Sequence, residues 1–388
     1  MLTSDVISTA SSLVTIAFEI AGPRAPAVLA RYAALTYLNR TSRGRPIRKG
    51  PTRLSRSSAP RSSQWDADVV VPVYNDFEGV SGVLDVLRQE AAQFERIRLV
   101  HDCSTDVRVA PLLRAFGTEV PNAALIENER NLGFLQSCNR GLKESKNDII
   151  ILNTDIELPL GALGRLMETL CSDPDVASVT PFSSNAYAAG FPDLNYDNKR
   201  PFGATTAQID AAFQAIGPFE PIDIPRGVGF CMAMSRNAIE KVGVFDPAFG
   251  AGYGEEADFC LRARQMGFRN LLAPNVYVYH RAGQSFGSSA QRRAREALIR
   301  LLVRHSDYPQ LVRDYLEAGE ARAVSFAALM RLAEDIGGSG GSQGDPRLQT
   351  KGADGRRATV MLNGETHHFT FASPDIADMV FALAGTRG

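Results

Sequence analysis

The chain has 388 residues, 44% of them hydrophobic, enough for one large domain or two of ordinary size. A net charge of −1 argues against a molecule built as a whole to bind polyanions, so no nucleic acid partner is expected. The five cysteines contain no C-x-x-C pair, which argues against zinc and for reduced thiols in a cytoplasmic protein.

Residues 1–39 read as a helical arm of one or two helices, broken near Gly22-Pro23. No apolar run reaches the roughly 20 residues a membrane helix needs. The best stretch, 12–22, is short and contains Glu19, and the N-terminus lacks the features of a signal peptide. The expected location is the cytoplasm, with contact at the inner face of the cell membrane as an alternative. Residues 40–66 form a basic linker: between 40 and 61 there are eight Lys or Arg and no acidic residue. Such a segment is either a plain linker or one that rests on an anionic membrane surface.

From Asp68 the pattern changes. VVVPV (69–73) is a continuous apolar run, the mark of a strand buried on both faces. Residues 76–93 carry apolar side chains at helical spacing, RIRLVHD (96–102) is a second strand and ALIENE (124–129) a short third. A helix follows over 133–145, a strand over 148–155 and a helix over 159–171. This alternation predicts an α/β domain over 67–286, Rossmann-like, with a mostly parallel central sheet flanked by helices. Residues 287–336 read as a helical extension rich in Arg, its basic face either solvated or drawn to anionic lipid or glycan. A flexible linker follows over 337–357, containing GGSGGSQGDP (337–346), and then a small α+β module over 358–388. In that module Asn363-Gly364 separates two strand-like runs as a hairpin turn, and a short helix is expected over 373–384. His367 and His368, adjacent on a strand, point to opposite faces and make a poor metal pair.

Polar residues stand where the strands end: Tyr74-Asn75-Asp76, Asp102 and Asn153-Thr154-Asp155. Strand ends are polar because turns are, but in open α/β sheets the ligand crevice also lies at the carboxyl ends of the strands. Two further clusters are suggestive. GAGYGEEAD (250–258) joins a glycine-rich loop to three carboxylates at a helix start, where acid is favourable in its own right and where a carboxylate can also take a proton from a substrate hydroxyl. VYVYHRAGQS (276–285) ends an alternating strand on His280; imidazole and carboxylate together suit Mn2+ or Mg2+ on a diphosphate.

Taken in order, VVVPVYND (69–76), LVHDCSTD (99–106), NERNLGFLQSCNRGL (128–142), NTD (153–155), GEEADFCLRARQMGF (254–268) and VYHRAGQS (278–285) make residues 67–286 resemble a family 2 glycosyltransferase of the GT-A fold. The resemblance implies an inverting transfer of a sugar from a nucleotide-diphosphate donor to a hydroxyl of a glycan or lipid-linked acceptor, in surface polysaccharide or glycan assembly. It implies that Pro72, Tyr74 and Asn75 line the nucleotide pocket and that Asp102 accepts a hydrogen bond from the base. Arg130, Asn131 and Gly133 would border nucleotide and sugar, with Asn153 and Thr154 beside them. Asp155 and His280 would hold the divalent metal. Gly227 and Gly229 would lie under the donor sugar or acceptor. Glu256 would be the catalytic base, with Glu255 and Asp258 orienting it or binding the acceptor.

Three positions depart from the family pattern. His101 stands where an acid is frequent, Asn153 replaces the first acid of D-x-D with a neutral oxygen, and Glu256 is one methylene longer than the usual Asp. Other classes fit less well. A nucleotidyltransferase favours a Gly-rich, Lys-containing loop after the first strand, and VPVYNDFEG (71–79) has no Lys. A dinucleotide oxidoreductase would carry G-x-G-x-x-G there. The remaining alternative is a GT-A-like module that binds a nucleotide sugar without catalysis or serves as a scaffold.

Overall fold

In the computed structural model the described residues are 4–41, 64–194, 198–217, 219–250, 253–281, 288–338, 347–350, 357–362 and 365–370. The basic linker after Thr41, the Asn363-Gly364 turn and the helix expected over 373–384 lie outside them.

The N-terminal arm is two helices, α1 (Ser4–Ala21) and α2 (Ala25–Thr41), joined by a short 3-10 turn over Gly22–Arg24 with Pro in its first positions. Proline has no N–H to lose at a helix start, so the break falls there. Helical structure nevertheless runs almost unbroken through this point. Residues Leu13–Leu35 are therefore long and apolar enough, by length and composition, to cross a membrane, contrary to the expectation that no segment reached that length. Ile16, Ala17, Ala25, Val28 and Leu35 are buried and belong to the same continuous core as the rest of the chain.

The α/β body follows in chain order. It runs β1 (Trp65–Val73), α3 (Phe77–Glu90), β2 (Phe94–His101), α4 (Val109–Glu119), β3 (Ala123–Glu127), α5 (Phe134–Glu144) and β4 (Asp148–Leu152). It continues with β5 (Ile156–Glu157), α6 (Ala162–Leu170), β6 (Val176–Ser183), α7 (Thr206–Ala215), β7 (Ile222–Asp223) and β8 (Cys231–Met234). Then come α8 (Arg236–Val242), α9 (Glu255–Gln265) and β9 (Arg269–His280). These strands form one sheet in the order β3-β2-β1-β4-β8-β6-β9-β5, with β7 also on β9. β1 pairs in parallel with β2 and β4, β2 with β3, and β6 with β9. Strands β8, β5 and β7 run against their neighbours. The expected α/β class with a mostly parallel sheet is therefore observed, with β8 reversed at its centre.

The apolar runs explain the layering. Val69, Val70 and Val71 in β1 and Ile149, Ile150 and Ile151 in β4 are all at most 1% exposed, because helices cover both faces of the sheet. β1 and β4 pair at Val69↔Ile150 and Val70↔Ile151, so the two runs end together and their polar continuations emerge at one edge.

Three helices follow: α10 (Ser288–Arg304), α11 (Tyr308–Ala318) and α12 (Glu320–Gly338). They are part of the body rather than an appendage, since Leu302, Val312, Phe326 and Leu329 are wholly buried in the common core. The small module is an antiparallel sheet of β10 (Arg347–Thr350), β11 (Arg357–Leu362) and β12 (Glu365–Thr370). The expected hairpin strands are present, paired at Leu362↔Glu365. β10 is an addition: a strand lies inside the stretch expected to be linker.

Candidate active site

The first wall of the crevice is the turn after β1. Asn75 and Asp76 both have positive φ, 57° and 50°, the conformation that short polar side chains tolerate best. Asp76 caps α3 by accepting from Gly79 N at 3.2 Å. Gly79 is required there: a Cβ would stand 1.9 Å from Asp76 Oδ2 and 2.5 Å from the Thr154 carbonyl oxygen. This close approach draws the β1 turn onto the Asn153-Thr154-Asp155 turn.

Asn75 fastens the same turn to the one after β2. Its Oδ1 accepts from Thr105 N at 2.8 Å, Thr105 Oγ1 at 3.2 Å and Asp106 N at 3.1 Å. Its own N–H donates to Ser104 Oγ at 2.9 Å. Tyr74, next to it, is 47% exposed at the rim, while Pro72 is buried within β1.

Asp102 follows β2 at the same crevice wall. Its carboxylate is 2% exposed and accepts three hydrogen bonds. Oδ1 accepts from Asn128 Nδ2 and Leu132 N, each at 2.7 Å, and Oδ2 accepts from Gly133 N at 2.8 Å. A carboxylate with three such donors holds the loop 128–133 in shape. Arg130, Asn131 and Leu132 consequently project as the exposed tip of that loop, ahead of the Gly133 that precedes α5. His101 accepts from Ser104 N at 3.1 Å, which gives it a local structural partner.

Asp155 and His280 meet because β5 pairs with the end of β9, Ile156↔His280. His280 Nδ1 lies 3.1 Å from the Asn185 carbonyl oxygen, which can only accept, so that nitrogen carries a proton. Its Nε2 faces Asp155 Oδ2 at 3.2 Å, and the ring stacks on Phe230 with centroids 4.9 Å apart. A carbonyl behind an imidazole that faces a carboxylate is the arrangement that orients a metal-binding histidine. Adjacent ligands around a six-coordinate ion with bonds of about 2.1 Å stand about 3 Å apart, close to the separation here. Burial pushes the Asp155 carboxyl up, but hydrogen bonds and charge from His280 and an amide contact from Asn153 outweigh it and leave it below the usual range. Asn153 Oδ1 is buried without a partner, an unspent oxygen beside the pair. Among the described residues no three His, Cys, Asp or Glu side chains converge on one point. The donor set thus fits an ion completed by diphosphate oxygens and water.

Across the crevice, α9 opens on Gly254, whose φ of 90° would strain a residue with a side chain and whose Cβ position is hemmed to 3.3 Å by Leu301 and Phe249. The tight start brings Glu255 and Glu256 to the crevice wall. Glu255 is 3% exposed with Oε2 unpartnered; burial first, then the charge of Glu256, pushes its carboxyl up to about 8. The Glu256 side chain is 13% exposed, its stem lies against Gly229, and its Oε1 is 3.9 Å from Arg226 Nη1.

Asp258 turns elsewhere. Its carboxylate accepts from His305 Nε2 at 2.9 Å, Arg262 Nε at 2.7 Å and Arg304 Nη1 at 3.3 Å, and is shut from solvent. This residue bolts α9 to the end of α10. Burial raises its pKa, but the His305 and Arg262 bonds prevail and hold it below the usual range.

The stretch 227–230 ties the two halves together. Gly227 N donates to Cys260 Sγ on α9 at 3.2 Å, and the Phe230 carbonyl accepts from Asn153 N at 2.8 Å. Arg226, Asn128 and His305 did not stand out in the sequence. A lone Arg before Gly-x-Gly was the available signal for the first; the others depend on contacts distant along the chain.

A doubly covered sheet with its polar strand ends gathered at one edge, facing a carboxylate-bearing helix, is an open α/β architecture with a ligand crevice at its strand ends. Residues 68–243 match the family model described as glycosyl transferase family 2. No curated protein matches the chain. Among solved structures it is similar to a mannosyltransferase from Pyrobaculum calidifontis in complex with GDP-Man and Mn2+, at 18% identity over 85% of this chain and 88% of that one, TM-score 0.48. It is also similar to GalNAc-T7 with UDP, GalNAc and Mn2+, at 17% identity over 57% of this chain and 44% of that one, TM-score 0.44. A mycobacterial protein matches at 15% identity over 81% of this chain and 88% of that one, TM-score 0.38.

Proposed function

We propose that this protein is an inverting hexosyltransferase that moves a sugar from a nucleotide-diphosphate donor to a hydroxyl of a glycan or lipid-linked acceptor, in surface polysaccharide or glycan assembly. The observation that carries the reading is the pair of adjacent carboxylates at the start of α9. Burial keeps a proton on Glu255, with a pKa of about 8. That leaves Glu256, beside the Arg226 guanidinium, as the base of the pair. A buried carboxyl that retains its proton, next to a second carboxyl side chain that is more open, is the kind of pairing an acid–base site uses.

In this reading Tyr74 packs against the base, and the loop 128–133, held by Asp102, borders the ribose and sugar. Asp155 and His280, with Asn153 Oδ1 nearby, would hold Mn2+ or Mg2+, which offsets charge developing on the leaving diphosphate. Glu256 takes the proton of the acceptor hydroxyl as its oxygen attacks the anomeric carbon in line with the departing diphosphate. General-base help of this kind contributes roughly 10²–10⁴-fold.

The reading also puts the protein in the cytoplasm with peripheral contact at the membrane. In α1, Val14 is 43% and Phe18 52% exposed, and the eight basic residues between 40 and 61 follow the arm. Exposed apolar side chains in a helical arm whose sequence continues into a basic segment suit an anionic bilayer surface. Flotation with anionic but not neutral vesicles tests this, and equal recovery with both rejects it.

The site is tested by thermal unfolding of the full chain with UDP, GDP and dTDP, each with and without Mn2+. A ligand at about 100 times Kd adds roughly 2.7 kcal/mol, a readable shift. The expected result is a metal-dependent shift with one nucleotide, absent in Asp155→Ala. A shift without turnover of any nucleotide sugar would favour the non-catalytic reading, to which the amide at Asn153 lends support.

A further inference from the structure

Arg226 lies between β7 and β8 and retains only 17% of its side-chain exposure. A guanidinium carries five N–H donors and keeps its charge at any ordinary pH, so burying it is costly unless those donors are met. Here they are not. Nε is buried with no hydrogen-bond partner. The Nη end faces Glu256 Oε1 at 3.9 Å, an ion pair too long for a hydrogen bond, and the buried Tyr308 phenol lies near enough to interact with the charge. The guanidinium also lies 4.6 Å over the Tyr187 ring, a contact that fixes its plane without using a donor. Every other arginine that pairs with a carboxylate on α9 does so at shorter range: Arg262 reaches Asp258 at 2.7 Å and Arg304 reaches it at 3.3 Å.

The position of Arg226 says which substrate it faces. From Phe230, which stacks on His280, the chain runs back past Gly229, against the Glu256 stem, to Arg226. In the proposed reading Phe230, stacked on His280, marks the side where the diphosphate binds, while Arg226 is placed by its contact with Glu256, the proposed base.

We propose that Arg226 binds an anionic group, a carboxylate or a phosphate, carried by the acceptor next to the hydroxyl that Glu256 deprotonates. The inference rests on the glycosyltransferase reading of this site. An anion meeting the Nη groups forms charge-assisted hydrogen bonds that a neutral acceptor cannot supply. The acceptor class is then an acidic or phosphorylated sugar rather than a plain neutral one.

The test uses the full chain saturated with Mn2+ and the nucleotide that stabilises it, so that the diphosphate site is filled. Binding of glucuronate, glucose 6-phosphate and glucose is followed by ligand-observed NMR. Wild type should bind at least one of the two anionic sugars about tenfold more tightly than glucose or better, the least expected of one charge-assisted hydrogen bond. Preference for glucuronate alone or for the phosphate alone supports the proposal and names the anion. Arg226→Gln should lose the preference while keeping the nucleotide-induced thermal shift, and Arg226→Lys should retain part of it. Equal binding of all three sugars by wild type, or an undiminished preference in Arg226→Gln, overturns the proposal. Should Arg226→Gln not fold, the wild-type preference must still shrink as salt rises from about 50 to about 500 mM; a preference indifferent to salt overturns it as well. If no nucleotide shifts the melting temperature in the first place, the transferase reading itself fails, and that failure is visible before any sugar is added.

Discussion

Glu255→Gln should stabilise the protein, and by an amount that depends on pH in a defined way. The Glu255 side chain is buried, one carboxylate oxygen lacks a partner, and its pKa is pushed from the ordinary 4.5 up to about 8. The folded state therefore holds a proton that the unfolded chain releases above about 4.5. With the native pKa the higher one, the contribution to stability is full below about pH 4.5, declines as pH rises and is exhausted above about pH 8. From pH 4.5 to pH 7 is two and a half units at about 1.4 kcal/mol each, so wild type forfeits about 3 kcal/mol over that interval on account of this group. Glutamine matches the protonated carboxyl in shape and cannot ionise, so the variant keeps what wild type loses. Urea unfolding of both proteins at half-unit steps between pH 4.5 and 8 measures the effect, and other titrating groups cancel in the difference. The gap should open steadily in favour of Glu255→Gln and level off near pH 8. Parallel stability curves, or a gap that narrows as pH rises, would refute the assignment of a retained proton to Glu255.

Glu256→Gln should lower turnover by roughly 10²–10⁴-fold while nucleotide binding, followed by thermal shift, is unchanged; turnover near wild type would remove Glu256 from the chemistry. Asp102→Ala strips the loop 128–133 of three hydrogen bonds. It should cost about 2–4 kcal/mol in urea unfolding, whereas weakened nucleotide binding at unaltered stability would favour the direct base contact. Gly79→Ala forces a methyl to within 2.5 Å of the Thr154 carbonyl oxygen. A loss of about 1–3 kcal/mol by the same assay, with weaker nucleotide binding, is expected as the two turns part, and a fully stable variant would show that they are not tightly joined.

The α/β class and the elements around the crevice were legible in the sequence because each signal is local. Continuous apolar runs such as 69–73 and 149–152 fit strands covered on both faces, and the polar residues that end them then fall at the sheet edge. Adjacent acids after a glycine loop likewise announced the start of α9. Which carboxylate does what was not legible, because charge and accessibility depend on neighbours far along the chain. That Asp102 also ties down the loop 128–133, through Asn128, Leu132 and Gly133, shows only in the fold. Asp258 read like Glu255 and Glu256 until His305 and Arg304, more than forty residues on, engaged it. Glu255 and Glu256 are neighbours of one chemical type, and only the burial of the first against the partial opening of the second separates them. The reversed strand β8 and the strand β10 also escaped notice, since a run of four residues carries too little periodicity to be told from a loop. Sequence alone determined the layers of this protein and the edge where its polar residues gather; the long-range contacts of the tertiary structure decided which of those residues are spent on holding the fold and which are left for a ligand.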